Sequence, residues 1–231
     1  MSYESLVEFL KDEAQIAALS FMAVIYALKI WGIMKKNPIQ DRTPNHGNPK
    51  EGVRYSFTVI AMPWEMQVYR DHPMKYIEFT IFHLAIAAAI ASTFIIPYWP
   101  DVMLKSWIML PSLLFIAAGF LCGLLRLIAR LTSPAMRAFS VPDDYFSIIL
   151  LNVYLISAMI AIPNSAATAT DPMIWSIVLF FGLTAFFLIY VPFSKISHYL
   201  LWPFNRYYLG KHFGKRGVYP KNSAGLRAAD L

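Results

Sequence analysis

The chain has 231 residues, 58% of them hydrophobic and only 15% charged, with a mean hydropathy of +0.49. A soluble domain carries roughly a quarter charged and about half apolar residues, so this composition excludes a nucleic-acid binder, a disordered chain and most soluble enzymes, despite a formal net charge of +6. A single cysteine, Cys122, excludes a disulfide framework, a cysteine-based zinc site and an iron–sulfur cluster held by this chain alone.

A helix spans the roughly 30 Å hydrocarbon core of a bilayer with about 20 mostly apolar residues. Five segments qualify, at about 14–34, 76–97, 107–129, 146–163 and 174–195. The predicted fold class is therefore an all-α integral membrane protein with five transmembrane helices. The first segment follows Glu4, Glu8, Asp12 and Glu13 and lacks a small-residue cleavage pattern, so it reads as a span and not as a signal peptide. Loop 35–75 begins with turn formers (Asn37-Pro38, Pro44-Asn45-His46-Gly47-Asn48-Pro49) and turns apolar and aromatic from Tyr55 to Tyr69. That second half reads as an interfacial segment or a docking surface. Pro111 and Pro192 are candidate kinks, and Pro73 and Pro203 are expected to interrupt helices. The division expected is a membrane domain over 1–203, with loop 35–75 on it, and a tail over 204–231.

Orientation follows from where Lys and Arg lie. The N-terminal tail and the loop at 98–106 hold one each (Lys11, Lys105), and the loop at 164–173 holds none. Loop 35–75 holds seven, the connection after the third helix holds Arg130 and Arg137, and the stretch from Lys195 onward holds seven. The split of 16 against 2 predicts an outside N-terminus and a cytoplasmic C-terminus. Anionic lipid head groups and an acidic partner surface are secondary readings of the same charge.

Ionisable residues inside a membrane are costly, which makes them functional candidates. His83 lies about two turns into the second helix, and His198 lies at the cytoplasmic end of the fifth. Both imidazoles fall on the cytoplasmic side, where two neutral rings on facing helices can fill both axial positions of a haem iron. Such a site suits electron transfer. Equally, His83 can be a packing histidine and His198 an interfacial one. His72 and His212, eleven residues before His83 and fourteen after His198, return to similar helix faces, so a second haem is conceivable; the ordinary reading is two solvated loop histidines. His46, in a Pro/Asn/Gly loop, has no evident role.

Arg126 and Arg130, one turn apart at the cytoplasmic end of the third helix, either bind haem propionates or anchor the helix by their charge. Gly119 and Gly123 form a small-xxx-small pair suited to helix packing. Glu78 and Asn152 either reach a quinone oxygen or bond a neighbouring helix. Lys105 reads as a loop lysine and a weak quinol contact, and Cys122 as a packing residue. A non-redox membrane scaffold or a small transporter subunit is the rival class. Neither an internal repeat nor a broken pair of spans favours the transporter.

Three stretches taken together resemble a known family. They are Phe82-His83 in the second helix, RLTSPAMRAFSVPDDYFSIILL over 130–151, and PFSKISH over 192–198. The chain resembles the gamma, cytochrome b subunit of respiratory nitrate reductase and the related membrane subunits of sulfite-reductase-linked and heterodisulfide-reductase-type complexes, over most of 10–205. The resemblance implies haem b, with His83 and His198 as the inner-side ligands. It also implies menaquinone or ubiquinone as redox partner, a cytoplasmic iron–sulfur subunit, and a prokaryotic cytoplasmic membrane. Relatives of the nitrate reductase type hold a second haem by two further histidines. The corresponding positions here are Thr93 and Phe180, so the resemblance implies one haem b.

Overall fold

A computed structural model describes residues 3–36, 44–168 and 170–220. Eleven α-helices follow in chain order: α1 (Tyr3–Lys11), α2 (Glu13–Met34), α3 (Pro49–Thr58), α4 (Gln67–Asp71), α5 (Pro73–Tyr98), α6 (Pro100–Met103), α7 (Ser106–Thr132), α8 (Pro134–Phe139), α9 (Pro142–Ala161), α10 (Ile174–Tyr190) and α11 (His198–Lys215). Among the described residues there is no strand. Five stretches are long and apolar enough to cross a membrane: Glu4–Met34, Pro73–Tyr98, Ser106–Thr132, Pro142–Asn164 and Ile174–Phe193. The protein is a multi-pass helical membrane protein.

The boundaries have local causes. The first span starts ten residues earlier than its apolar run, because Asp12 N–H donates to Glu8 O and Ile16 N–H to Asp12 O, carrying helical bonding across the charged stretch. The fourth starts at Pro142, where proline needs no donor in the first turn and the Asp144 carboxylate accepts from Val141 N–H at 2.9 Å. Pro73 also opens a helix. Pro111 and Pro203, by contrast, lie inside α7 and α11. Pro192 sits in the 3-10 turn Val191–Phe193 that ends the fifth span.

The chain forms two compact units, Met1–Leu28 with Ile77–Ile196, and Lys29–Tyr76 with Ser197–Leu231. In the first, α7 packs on α9, α9 on α10, and α1 on α10. Its core is built from Ala85, Ala89, Ile96, Ile116, Leu155, Ala158, Ile177, Phe180 and Phe181. Small residues set the spacing: a Cβ at Gly119 would overlap the Ala85 side chain, so α5 and α7 approach closely there. Tyr154 stacks on Phe180 at 5.5 Å between ring centres. Buried hydroxyls bond their own helices, as Ser157 does to Tyr154 O and Thr184 to Phe180 O, so few polar groups face hydrocarbon unmet. Large apolar side chains such as Phe94, Leu114 and Leu121 remain exposed, as lipid-facing positions should.

In the second unit α3 packs on α11. Gly52 and Ser56 face Gly210 and Gly214, one small-xxx-small pair against another, and a Cβ at Gly210 would lie 2.6 Å from Val53 Cα. Asn48 caps α3 by accepting from Lys50 N–H at 3.0 Å. The end of α11 is closed by His46 and Gly47, whose N–H groups donate to Lys215 O at 2.9 and 3.1 Å. Gly217 follows at φ +72°, the left-handed geometry that turns the chain after a helix. Phe57 meets Trp202 edge-on at 5.4 Å, and Tyr219 packs against both Tyr55 and Phe213.

Candidate functional site

His83 lies on α5, half-buried, in the first unit. Its Nδ1 sits 2.7 Å from Phe79 O, one helical turn back. A carbonyl only accepts, so this bond puts the proton on Nδ1 and the lone pair on Nε2. The imidazole is further set by the Phe79 ring at 4.1 Å and the Phe82 ring, edge-on, at 5.9 Å. Phe82 is buried and lies under the Arg126 guanidinium at 5.2 Å.

Arg126 Nε donates to Glu78 Oε1 at 2.7 Å, so α7 and α5 exchange an ion pair within their spans. Both side chains are 30% exposed, which places the pair at the rim of the bundle. Arg130 Nη1 donates to Ser140 Oγ at 2.7 Å and stands 3.8 Å from Asp144. Each guanidinium has further N–H groups beyond those bonds.

Arg130 belongs to a network that the sequence reading did not single out. Asp144 accepts from Lys195 Nζ at 2.9 Å, and Asp143 accepts from Tyr190 OH at 2.6 Å and from Lys195 N–H at 3.1 Å. Ser147 Oγ lies 3.2 Å from the Tyr190 hydroxyl, and Tyr145 OH donates to Arg130 O. The start of α9 is thereby tied to the turn that ends the fifth span. The stretch 130–151 and the first residues of the stretch 192–198 thus meet through Asp143, Asp144 and Lys195. Adjacent aspartates at the start of an apolar run were the available signal.

His198 opens α11 and is exposed; it belongs to the second unit, whereas His83 belongs to the first. His72 follows α4 and precedes Pro73, outside α5, so helical periodicity does not link it to His83. His212 lies within α11 on the same helix as His198, half-buried beside Phe213. His46 serves through its backbone at the end of α11. Thr93 is buried and bonds Ile90 O, and Phe180 is fully buried in the core. Asn152 is buried on α9: its amide donates to Ile148 O at 2.7 Å, while its Oδ1 has no hydrogen-bond partner and abuts Gly123. Cys122 is half-buried on α7, in the electrostatic neighbourhood of Glu78 and Arg126. Lys105 occupies the position before α7 and is exposed.

No protein-family model matches the chain, and neither a curated protein nor a solved structure matches it. Its function must be read from its own residues.

Proposed function

We propose that this membrane protein is the membrane-anchor cytochrome b subunit of a quinone-linked respiratory oxidoreductase, in which His83 and His198 hold one haem b. The observation that carries the reading is the His83 Nδ1 bond to Phe79 O at 2.7 Å. Metal-binding histidines characteristically donate the second ring nitrogen to a carbonyl or carboxylate, which fixes both tautomer and ring orientation. The bond leaves Nε2 as the basic nitrogen, the one an iron takes, so the donor chemistry at His83 fits the group. A bis-imidazole haem supplies one-electron transfer with no open iron position for substrate.

In this proposal the chain's residues bind and orient. Phe79 and Phe82 flank the His83 ring and set its orientation. Arg126 and Arg130 offer their remaining N–H groups to propionates, while Glu78 and Asp144 balance their charge. Asp143, Asp144 and Lys195 fix the turn from which the chain runs on to His198. Menaquinone or ubiquinone as redox partner, a cytoplasmic iron–sulfur subunit as the other, and a prokaryotic cytoplasmic membrane follow from the resemblance alone.

The test is a pyridine haemochrome count with a reduced-minus-oxidised spectrum on the purified full chain. One b haem per chain is expected, lost in His83→Ala and in His198→Ala and kept in His72→Ala. A haem-replete His83→Ala chain sinks the assignment. A folded, haem-supplied chain with no haem at all hands the protein to the scaffold reading. One observation favours that rival: the buried polar side chains of the first unit are largely bonded to backbone carbonyls of their own helices.

A further inference from the structure

We propose that the described part of the second unit, residues 29–36, 44–76 and 197–220, is a binding surface for anionic phospholipid, its exposed cations pairing with phosphate-bearing head groups while aromatic and aliphatic side chains of the same unit enter the bilayer interface. The inference does not depend on the haem; it needs only the membrane spans.

Charge is the first argument. Among the described residues this unit carries eleven Lys and Arg against three Asp and Glu, while the other carries six against nine. The same excess orients the spans, and it leaves the cations concentrated at one membrane face. Placement is the second. Three of the five spans run into this unit, after Leu28, before Ile77 and after Ile196, and five crossings bring all three junctions to one side of the bilayer. The cations are held at a membrane face by covalent continuity.

The side chains supply the third argument. Lys50, Arg54, Arg70, Lys75 and Lys211 are exposed, and none forms a salt bridge among the described residues. Beside them, Trp64 is 60% and Met74 71% exposed, and Val68, Tyr208 and Leu209 are exposed too. None of these is needed to join α3 to α11, which meet through Gly52, Ser56, Gly210 and Gly214. Exposed Trp and Tyr in the same unit as exposed Lys and Arg is the composition of a bilayer interface, where rings and long stems lie in the head-group layer and charges reach phosphate. A protein partner would also accept Trp64 and Met74, but lipid is the partner at whose face the adjoining spans already hold this surface.

The full chain is reconstituted in phosphatidylcholine vesicles with a trace of spin-labelled phosphatidylglycerol or spin-labelled phosphatidylcholine. The motionally restricted fraction of each label is read by electron paramagnetic resonance. Contacts of lipid tails with the spans are common to both labels, so their ratio isolates the head group. The expected preference for phosphatidylglycerol is about threefold at about 0.05 M salt and close to one at about 0.5 M, since surface pairing is screened and apolar contact is not. A chain carrying Lys50→Gln, Arg54→Gln, Arg70→Gln, Lys75→Gln and Lys211→Gln, with unchanged helical circular dichroism, should lose at least about half of that preference. If that variant does not fold, Arg70→Gln/Lys75→Gln and the salt titration of the unaltered chain decide the matter. A ratio near one in the unaltered chain at low salt overturns the proposal and leaves the surface to an acidic protein partner. A preference that survives both salt and the glutamine variants overturns it too, by placing the selectivity in the spans.

Discussion

Asn152 and the Glu78–Arg126 pair illustrate two ways of holding polarity among apolar helices. The Asn152 amide returns to the backbone of its own helix at Ile148, while its oxygen presses on Gly123 without a hydrogen bond. An unmet buried acceptor is costly, and an apolar group of the same shape is tolerated in its place. Asn152→Leu should therefore change thermal stability by no more than about 1 kcal/mol in detergent. Gly123→Ala should cost about 1–3 kcal/mol, because its Cβ would lie 2.5 Å from Asn152 Oδ1 and 2.8 Å from the Phe82 ring. Thermal unfolding of the two variants side by side checks the contrast. The ion pair behaves differently. Glu78→Gln strands the Arg126 charge, and with both side chains 30% exposed the loss should be about 1–2 kcal/mol, well under that of a fully buried pair. The double variant Glu78→Gln/Arg126→Gln should lose less than the sum of the single losses; a purely additive result refutes the coupling.

Helix pairs in this protein are spaced by small residues, and α3 with α11 is the clearest case. Both backbones come so near at Gly52, Gly210 and Gly214 that a single methyl has no room. Gly210→Ala should separate the pair at a cost of about 1–3 kcal/mol, read as faster proteolytic cleavage of the segment after α11. The contact of α3 with the turn Pro63–Glu65 has a pH response. Burial first, then the neighbouring Glu65 carboxylate that accepts its hydroxyl at 3.3 Å, pushes the Tyr55 phenol up to about 12. A folded value above the unfolded one of about 10 means that the contribution is intact below pH 10 and is lost as pH rises towards 12. Tyr55→Phe should flatten the stability of this unit over that window. Asp171, in the short connection before α10, runs the other way. The Thr168 N–H and hydroxyl hold its carboxyl below the usual range, so its contribution is present above the ordinary carboxylate range and lost as pH falls through the lowered value.

At the scale of the whole molecule the decisive property is direction in the membrane. With Cys122 replaced by Ala there is no native thiol to confuse a labelling scan. Lys105→Cys and Asp171→Cys should react with an impermeant maleimide from outside intact cells, and Lys50→Cys and Arg137→Cys only after the membrane is opened. The reverse pattern would invert the protein.

Composition and hydropathy alone determined that this chain is all-helical and multi-pass, because the requirement for about 20 apolar residues per crossing is local and one-dimensional. The five spans lie where the apolar runs lie, with ends displaced where Asp12 continues a helix or Pro142 opens one. Other features needed tertiary structure. The α11 helix was hidden in an uncharacteristic run of aromatics, charges and Pro203, since its stability comes from glycine contacts with α3 that are distant in sequence. Arg126 and Arg130 were legible as cations near one face, but their partners Glu78 and Asp144 depend on how α5, α7 and α9 pack. The His83 imidazole could be seen in the sequence as a candidate ligand. Which of its nitrogens carries the proton was decided by the Phe79 carbonyl one turn away, through the geometry of the folded helix.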